Sequence, residues 1–170
     1  MRVAINGFGR IGRSVFRILN ERKDIDVVAI NDLFDNDVLL YLFKYDTVMP
    51  TYKGDVFIEG DYLVTPDEKV LMLEQKDVSK LPWKDLDIDV VVEATGVFRK
   101  RDQLAAHLEA GAKRVVLTVP AKDEIDFTVV IGVNEDGLKP EHKIVSNASC
   151  TTNCLAPMAK VLHDNFGIVE

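Results

Sequence analysis

Cysteine is scarce in this 170-residue chain: only Cys150 and Cys154 occur, four residues apart, with no His or second Cys pair nearby. That spacing suits neither a disulfide framework nor a four-ligand zinc centre, and no metal site is predicted. Long apolar runs are lacking too. Those at 27–30 and 129–133 fall far short of the roughly 18 residues a spanning helix requires, so no membrane segment is predicted. Positive charge is in deficit, 21 Lys+Arg against 28 Asp+Glu for a net charge of −7, which argues against general binding of nucleic acid or anionic membranes. The opening MRVAINGFGR is interrupted by Asn6 and Gly7 and lacks the apolar stretch of a secretory signal, so a cytoplasmic location is the default expectation. Without export, the sequon Asn147-Ala148-Ser149 reads as a chance match.

What is present is a chain 47% hydrophobic and 29% charged, enough for one domain with a real core and incompatible with disorder or collagen. Val3-Ala4-Ile5 reads as a strand. The stretch from Arg10 to Glu21 then reads as a helix with Ile11, Val15, Ile18 and Leu19 on one face. A second strand, Val27 to Ile30, precedes a helical segment from Val38 to Tyr45, and the unit requires a parallel, right-handed crossover. Between Asp55 and Leu73, three short alternating runs around Gly60-Asp61 and Pro66-Asp67 predict a small antiparallel insertion. Further buried-type strands are expected at Val90 to Val92, Val115 to Val119, Phe127 to Val130 and Ile144-Val145. Asp102 to Ala110 reads as a helix with Leu104, Ala105 and Leu108 inward and Gly111 as its stop. The pattern predicts an α/β fold: a doubly wound, mostly parallel Rossmann sheet with a small antiparallel insertion.

Gly7-Phe8-Gly9-Arg10-Ile11-Gly12 fits G-x-G-x-x-G between the first strand and first helix. Gly7 would permit the tight turn, Gly9 would let the backbone approach a pyrophosphate, and Gly12 would allow close helix-to-strand packing. Free N–H groups at the helix start, with the positive end of its dipole, would face the phosphates. Asp32, 20 residues beyond Gly12, is placed to accept from ribose hydroxyls and to repel a 2′-phosphate, which favours NAD over NADP. The alternative is that the glycines serve only a turn and Asp32 caps the next helix. Strand, helix and acid in register weigh against it.

Ser146-Asn147-Ala148-Ser149-Cys150-Thr151-Thr152-Asn153-Cys154 precedes an amphipathic run with Leu155, Met158, Val161 and Leu162. Cys150 is thus expected at or near a helix N-terminus, where the dipole favours thiolate. Two readings fit it equally on spacing: a nucleophile, or a buried structural thiol among capping residues. Cys154 reads as a small packed hydrophobe. Pro157 fits a first helical turn or a kink in a longer helix. His163, 13 residues past Cys150, would lie about 20 Å away along a continuous helix. His107 and His142 read as surface or interface residues, leaving a candidate nucleophile without its base.

INGFGRIGR, Asn31-Asp32-Leu33, Lys44-Tyr45-Asp46, Glu93-Ala94-Thr95-Gly96-Val97-Phe98 and SNASCTTNCLAP together resemble the phosphorylating glyceraldehyde-3-phosphate dehydrogenases. The resemblance runs through the whole chain, and its cysteine segment is its most specific part. It implies a glycolytic enzyme, normally a homotetramer, that oxidises glyceraldehyde 3-phosphate to 1,3-bisphosphoglycerate with NAD and inorganic phosphate. By the same resemblance Arg10 and Ile11 would hold the pyrophosphate through their backbone and Asp32 the adenosine ribose. Thr95 and Gly96 would line the adenine side, with Thr118 near the nicotinamide. Cys150 would form a thiohemiacetal and then a thioester attacked by phosphate, with Ser149 and Thr151 binding substrate or phosphate.

Two segments depart from the family pattern. Gln75-Lys76-Asp77-Val78 stands where Glu-Arg-Asp-Pro is common, so a planar Arg contact to the cofactor becomes the point charge of Lys76. Met49-Pro50 replaces a common His-Gly, and both changes bear on adenine-side contacts. The family's activating His and substrate-binding Arg come later than residue 170. The chain therefore reads as an NAD-binding domain, 1–149, followed by the first helix of a catalytic domain, 150–170, incompetent for turnover alone. An NAD-binding module without turnover, or an erythrose-4-phosphate dehydrogenase, are the alternatives. Asp32 counts against the second, whose members tend to carry Glu there.

Overall fold

The structure is a computed structural model that describes residues 1–169. Strand β1 (Arg2–Asn6) leads through helix α1 (Arg10–Leu19) into β2 (Asp26–Asn31), which lies parallel to β1. After α2 (Asn36–Lys44) come β3 (Phe57–Glu59), β4 (Tyr62–Val64) and β5 (Lys69–Leu73). Strand β6 (Val90–Glu93) then pairs with β1 on the side away from β2. Helix α3 (Arg101–Glu109), β7 (Arg114–Leu117), β8 (Phe127–Thr128), β9 (Ile144–Ser146) and α4 (Cys150–Phe166) complete the chain. The nine strands form one sheet in the order β3-β4-β5-β2-β1-β6-β7-β9-β8. No described helix is long and apolar enough to cross a membrane.

Alternation along β1 divides the core between two sheet faces. Val3 and Ile5 join Phe8, Phe16 and Phe43 on one side, and Ala4 joins Trp83, Ile88 and Val91 on the other. The three phenylalanines meet with ring centroids 5.2–5.9 Å apart, and burying each stabilises the fold by roughly 1.5–3 kcal/mol. Arg17 covers this cluster from outside, its guanidinium 5.3 Å from the Phe43 ring centre.

The structure corrects several expected details. The buried face of α1 is Gly12 and Phe16, with Val15 and Leu19 partly covered, while Ile11 and Ile18 are exposed. The helix ends at Leu19 rather than Glu21. The antiparallel insertion is present as expected, and β5 joins it to the main sheet by running antiparallel to β4 and parallel to β2. The strand expected over Phe127 to Val130 contracts to Phe127–Thr128, and that expected to reach Val119 ends at Leu117. Gly111 does stop α3, at φ +109°, where a Cβ would also fall 2.4 Å from Cβ of Lys84.

Candidate cofactor cleft and cysteine site

Strand β1 has β2 on one side and β6 on the other, so chain connections diverge at its carboxyl end and leave a crevice there. Gly7 turns into it at φ +96°, its N–H donating to the Asn31 carbonyl at 2.8 Å. A Cβ on Gly7 would sit 2.6 Å from the Thr95 nitrogen, and one on Gly12 would sit 2.0 Å from the Gly7 carbonyl oxygen. Both are therefore closed to side chains. A Cβ on Gly9 would meet nothing within 4 Å, so the absence of a side chain there leaves backbone open to the outside. Gly9 is also the N-cap of α1 and supplies no capping side chain, and the first intrahelical bond runs from Arg13 N to Gly9 O at 3.0 Å. The N–H groups of Arg10, Ile11 and Gly12 precede that bond and face an anion-attracting dipole end. Helices α2 and α4 differ, being capped by Asp35 and Ser149.

Asp32 closes the crevice. Its Oδ2 accepts from Phe8 N at 2.6 Å and its Oδ1 from Phe34 N at 3.1 Å. An ionised carboxylate offers about four acceptor positions, so the oriented group keeps room for a ribose diol. The helix cap considered for Asp32 is supplied by Asp35, whose Oδ1 accepts from Asp37 N and Val38 N. Nearby, the Arg13 guanidinium donates to the Phe8 carbonyl at 2.9 Å. Burial pulls Arg13 below its usual pKa, opposed by Asp46 and Asp32.

Gly7, Gly9, Asp32, Lys76 and Thr95 line one cleft of about 390 Å³ with Leu33, Phe34 and Phe98 as apolar walls, a size and polarity suited to a nucleotide. Lys76, one of the departures from the family pattern, lies on a wall of this cleft. Met49 and Pro50 do not, lining instead a larger groove of about 520 Å³ with Arg17 and Tyr52. Gly96, at φ +71°, follows Thr95 on the exposed turn beyond β6. Thr118 lies apart from the cleft, bordering an apolar hollow beside Val92 and Val116. Its N–H and hydroxyl both donate to the Glu93 carbonyl at 3.1 Å.

Beneath the cleft runs a chain of buried polar groups that the sequence reading missed. Asn31 Nδ2 donates to Asn6 Oδ1 at 2.7 Å, and Asn6 Nδ2 donates to Glu93 Oε2 at 2.6 Å. His107 Nε2 lies 3.0 Å from the same Oε2, and Trp83 Nε1 donates to His107 Nδ1 at 2.9 Å. His107, expected as a surface or interface residue, is fully buried within the chain. It stands three residues after Leu104, and that spacing could have revealed its inward direction.

Cys150 opens α4 and is exposed. Ser149 Oγ caps the helix, accepting from Thr152 N at 2.9 Å, and lies 2.9 and 2.7 Å from the hydroxyls of Thr151 and Thr152. The preceding Ala148 holds φ +57°, a left-handed conformation that costs a non-glycine residue energy. It is held by Ser146 Oγ, which accepts from Ala148 N at 3.0 Å and donates to the Val119 carbonyl at 2.8 Å. Asn153 Nδ2 ties the helix back to the carbonyls of Asn147 and Ser149. The buried-thiol reading of Cys150 is therefore wrong for this chain, and so is the packed reading of Cys154, which is also exposed. Pro157 lies inside the 17-residue helix rather than in its first turn.

Residues 1–101 match the family model described as "Glyceraldehyde 3-phosphate dehydrogenase, NAD binding domain", and residues 149–170 match the C-terminal domain of the same family. A glyceraldehyde-3-phosphate dehydrogenase of Thermotoga maritima is 58% identical over 99% of this chain and 51% of its own length. Relatives of the same name from Chlamydia trachomatis and Geobacillus stearothermophilus are 57% and 51% identical, each over the whole chain and 51% of their own length. The chain thus spans about half the length of these relatives. A glycine turn at the sheet's switch point, an oriented Asp32 and the match over residues 1–101 agree: the chain belongs to the glyceraldehyde 3-phosphate dehydrogenase family, and its cofactor is NAD.

Proposed function

We propose that this chain is the NAD-binding and nucleophile-bearing part of a cytoplasmic glycolytic dehydrogenase that oxidises glyceraldehyde 3-phosphate to 1,3-bisphosphoglycerate with inorganic phosphate, in the parent as a homotetramer. The observation that carries the reading is an exposed thiol, Cys150, at the start of α4, on the same chain as the NAD cleft. In this reading residues 1–149 form the cofactor domain and 150–170 begin the catalytic one.

Each residue has a definite task. The backbone N–H groups of Arg10, Ile11 and Gly12 hold the pyrophosphate, with Gly7 and Gly9 shaping its approach. Asp32 holds the adenosine ribose, Lys76, Thr95 and Gly96 bound the adenine side, and Thr118 stands toward the nicotinamide. Cys150 Sγ adds to the aldehyde carbon to give a thiohemiacetal. Ser149 and Thr151 offer hydroxyls to the substrate or to phosphate. Bound NAD supplies the hydride acceptor.

The histidines support a further element of the proposal, that the chain alone binds NAD without turning over. His163 is 13 residues along α4 from Cys150, roughly 20 Å away. His107 is committed to Trp83 and Glu93, and the His142 ring stacks on Phe127. Calorimetric titration should detect NAD binding, while the chain given aldehyde, NAD and phosphate should form no NADH. Completed with the second half of the Thermotoga maritima relative, it should turn over and lose that activity on Cys150→Ser. Activity surviving Cys150→Ser would remove the nucleophile from the scheme.

A further inference from the structure

The buried chain of polar groups does more than fill the space under the cleft. Glu93 is fully buried at the end of β6, and among the described residues no Lys or Arg pairs with it, its one ionisable partner being His107. Its charge is met by hydrogen-bond donors. Oε1 accepts from both the N–H (2.9 Å) and the hydroxyl of Thr95. Oε2 accepts from Asn6 Nδ2 and faces His107 Nε2. Because the Trp83 indole can only donate, His107 Nδ1 is the acceptor and Nε2 carries the proton toward Glu93. A carboxylate buried among four donors is stabilised only while all four stay in place.

Those donors reach the walls of the NAD cleft. The Thr95 hydroxyl, after donating to Glu93, accepts from Val97 N at 3.1 Å and so closes the turn over residues 95–97. Asn6 passes the connection to Asn31, whose side chain holds Gln75 by both its N–H (2.8 Å) and its carbonyl (2.9 Å). Asn6, Asn31, Gln75, Thr95 and Val97 all line the cleft, yet the hub they share is out of reach of any ligand.

We infer that Glu93 is a positioning residue for NAD. Its carboxylate fixes the 95–97 turn on one wall and, through Asn6 and Asn31, the Gln75 segment on the other, with His107 and Trp83 as the anchor. Thr95 then contributes to the cleft by shape, since its N–H and hydroxyl proton are already committed to Glu93.

Glu93→Gln tests this inference, which rests on the cleft being the NAD site. An amide has one acceptor oxygen where four donors converge. With that oxygen turned toward Asn6 and His107, the Trp83 end stays intact and the Thr95 N–H is stranded. The variant should keep the near-ultraviolet circular dichroism of Trp83, the sole tryptophan, and bind NAD about tenfold more weakly, because the 95–97 turn is no longer held in its binding shape. Where Glu93→Gln does not fold, Thr95→Val, which deletes the hydroxyl joining Glu93 to Val97 N, should weaken NAD binding several-fold, and Thr95→Ser should recover most of the loss. Folded Glu93→Gln with unchanged NAD affinity overturns the inference, as does Thr95→Val binding like Thr95→Ser. An unchanged chain that takes up no NAD sinks the cofactor assignment and this inference with it; variants that bind like the unchanged chain sink the inference alone.

Discussion

Alanine at Gly9 and at Gly12 adds the same methyl group in two different surroundings. At Gly12 it would lie 2.0 Å from the Gly7 carbonyl oxygen, a backbone atom that cannot rotate away, so α1 would have to lift from β1 at a cost of about 3 kcal/mol or more. At Gly9 the methyl would meet open space on a backbone with φ −71°, which alanine adopts freely. Gly12→Ala should therefore lower the urea midpoint sharply. Gly9→Ala should leave it within about 0.5 kcal/mol yet weaken NAD binding, since the methyl would stand where the proposed function brings the pyrophosphate. Asp32 permits a second comparison. Asp32→Asn keeps an oxygen for Phe8 N and removes the charge, so the ratio of NADP to NAD affinity should rise by about tenfold, roughly 1.4 kcal/mol. Paired titrations of the two dinucleotides measure it, and an unchanged ratio would mean that Asp32 does not face the 2′ position.

At the scale of elements, Asp126 joins three pieces of the structure that share no long stretch of sequence. Oδ2 accepts from the N–H groups of Lys143 and Ile144 at the start of β9, and Oδ1 accepts from Arg101 on α3 at 2.6 Å. Burial works to raise its pKa, but those N–H groups and the guanidinium prevail and hold it at about 2, below the ordinary 3.8. A carboxyl depressed on folding stabilises above its unfolded value, and that contribution disappears as pH falls through the folded one. Asp126→Asn should thus cost about 1–2 kcal/mol at neutral pH, allowing for partial solvent screening. The gap between variant and unchanged chain should narrow from about pH 4 and be lost only below about pH 2. Urea unfolding at stepped pH values measures the gap, and a constant one would mean the carboxylate's charge is not what binds these elements.

The elements that were legible in the sequence are those whose local pattern and tertiary surroundings agree. The strand-glycine-helix opening, the antiparallel runs around Gly60 and the stop at Gly111 each carry their own conformational requirement, so adjacent residues suffice to place them. The faces of α1 were not legible, because Ile11 and Ile18 look inward by composition while the sheet accepts Gly12 and Phe16. His107 escaped for a related reason. A histidine inside a helix implies burial only when its partners are known, and Trp83 and Glu93 are 24 and 14 residues distant. Gly7, Gly9 and Asp32 come together on one cleft because a single strand-helix-strand crossover unit carries them. Thr118, placed by resemblance alone, lies apart from the cleft lined by Gly7, Gly9, Asp32, Lys76 and Thr95.

For the molecule as a whole, α4 stands in a different relation to the core from the other helices. Phe16, Leu39 with Phe43, and Leu104 with His107 anchor α1, α2 and α3, whereas none of the 17 residues of α4 is buried. Its apolar stripe, with Leu155, Met158, Val161 and Leu162 each more than half exposed, takes no part in the three hydrophobic clusters. Hydrophobic stabilisation follows area removed from water, so α4 adds little to the stability of the sheet. The cleft proposed to hold NAD draws on residues between Asn6 and Phe98 and on nothing from α4. A chain ending at residue 149 should therefore keep its thermal midpoint within about 2 °C of the whole, a shift worth well under 1 kcal/mol. It should bind NAD equally well. Trp83 lies in the core cluster on one face of the sheet, so its fluorescence follows melting of the cofactor domain directly. A midpoint lowered by 10 °C or so would correspond to about 2 kcal/mol or more and would mean that α4 belongs to that domain's folding unit rather than to the next.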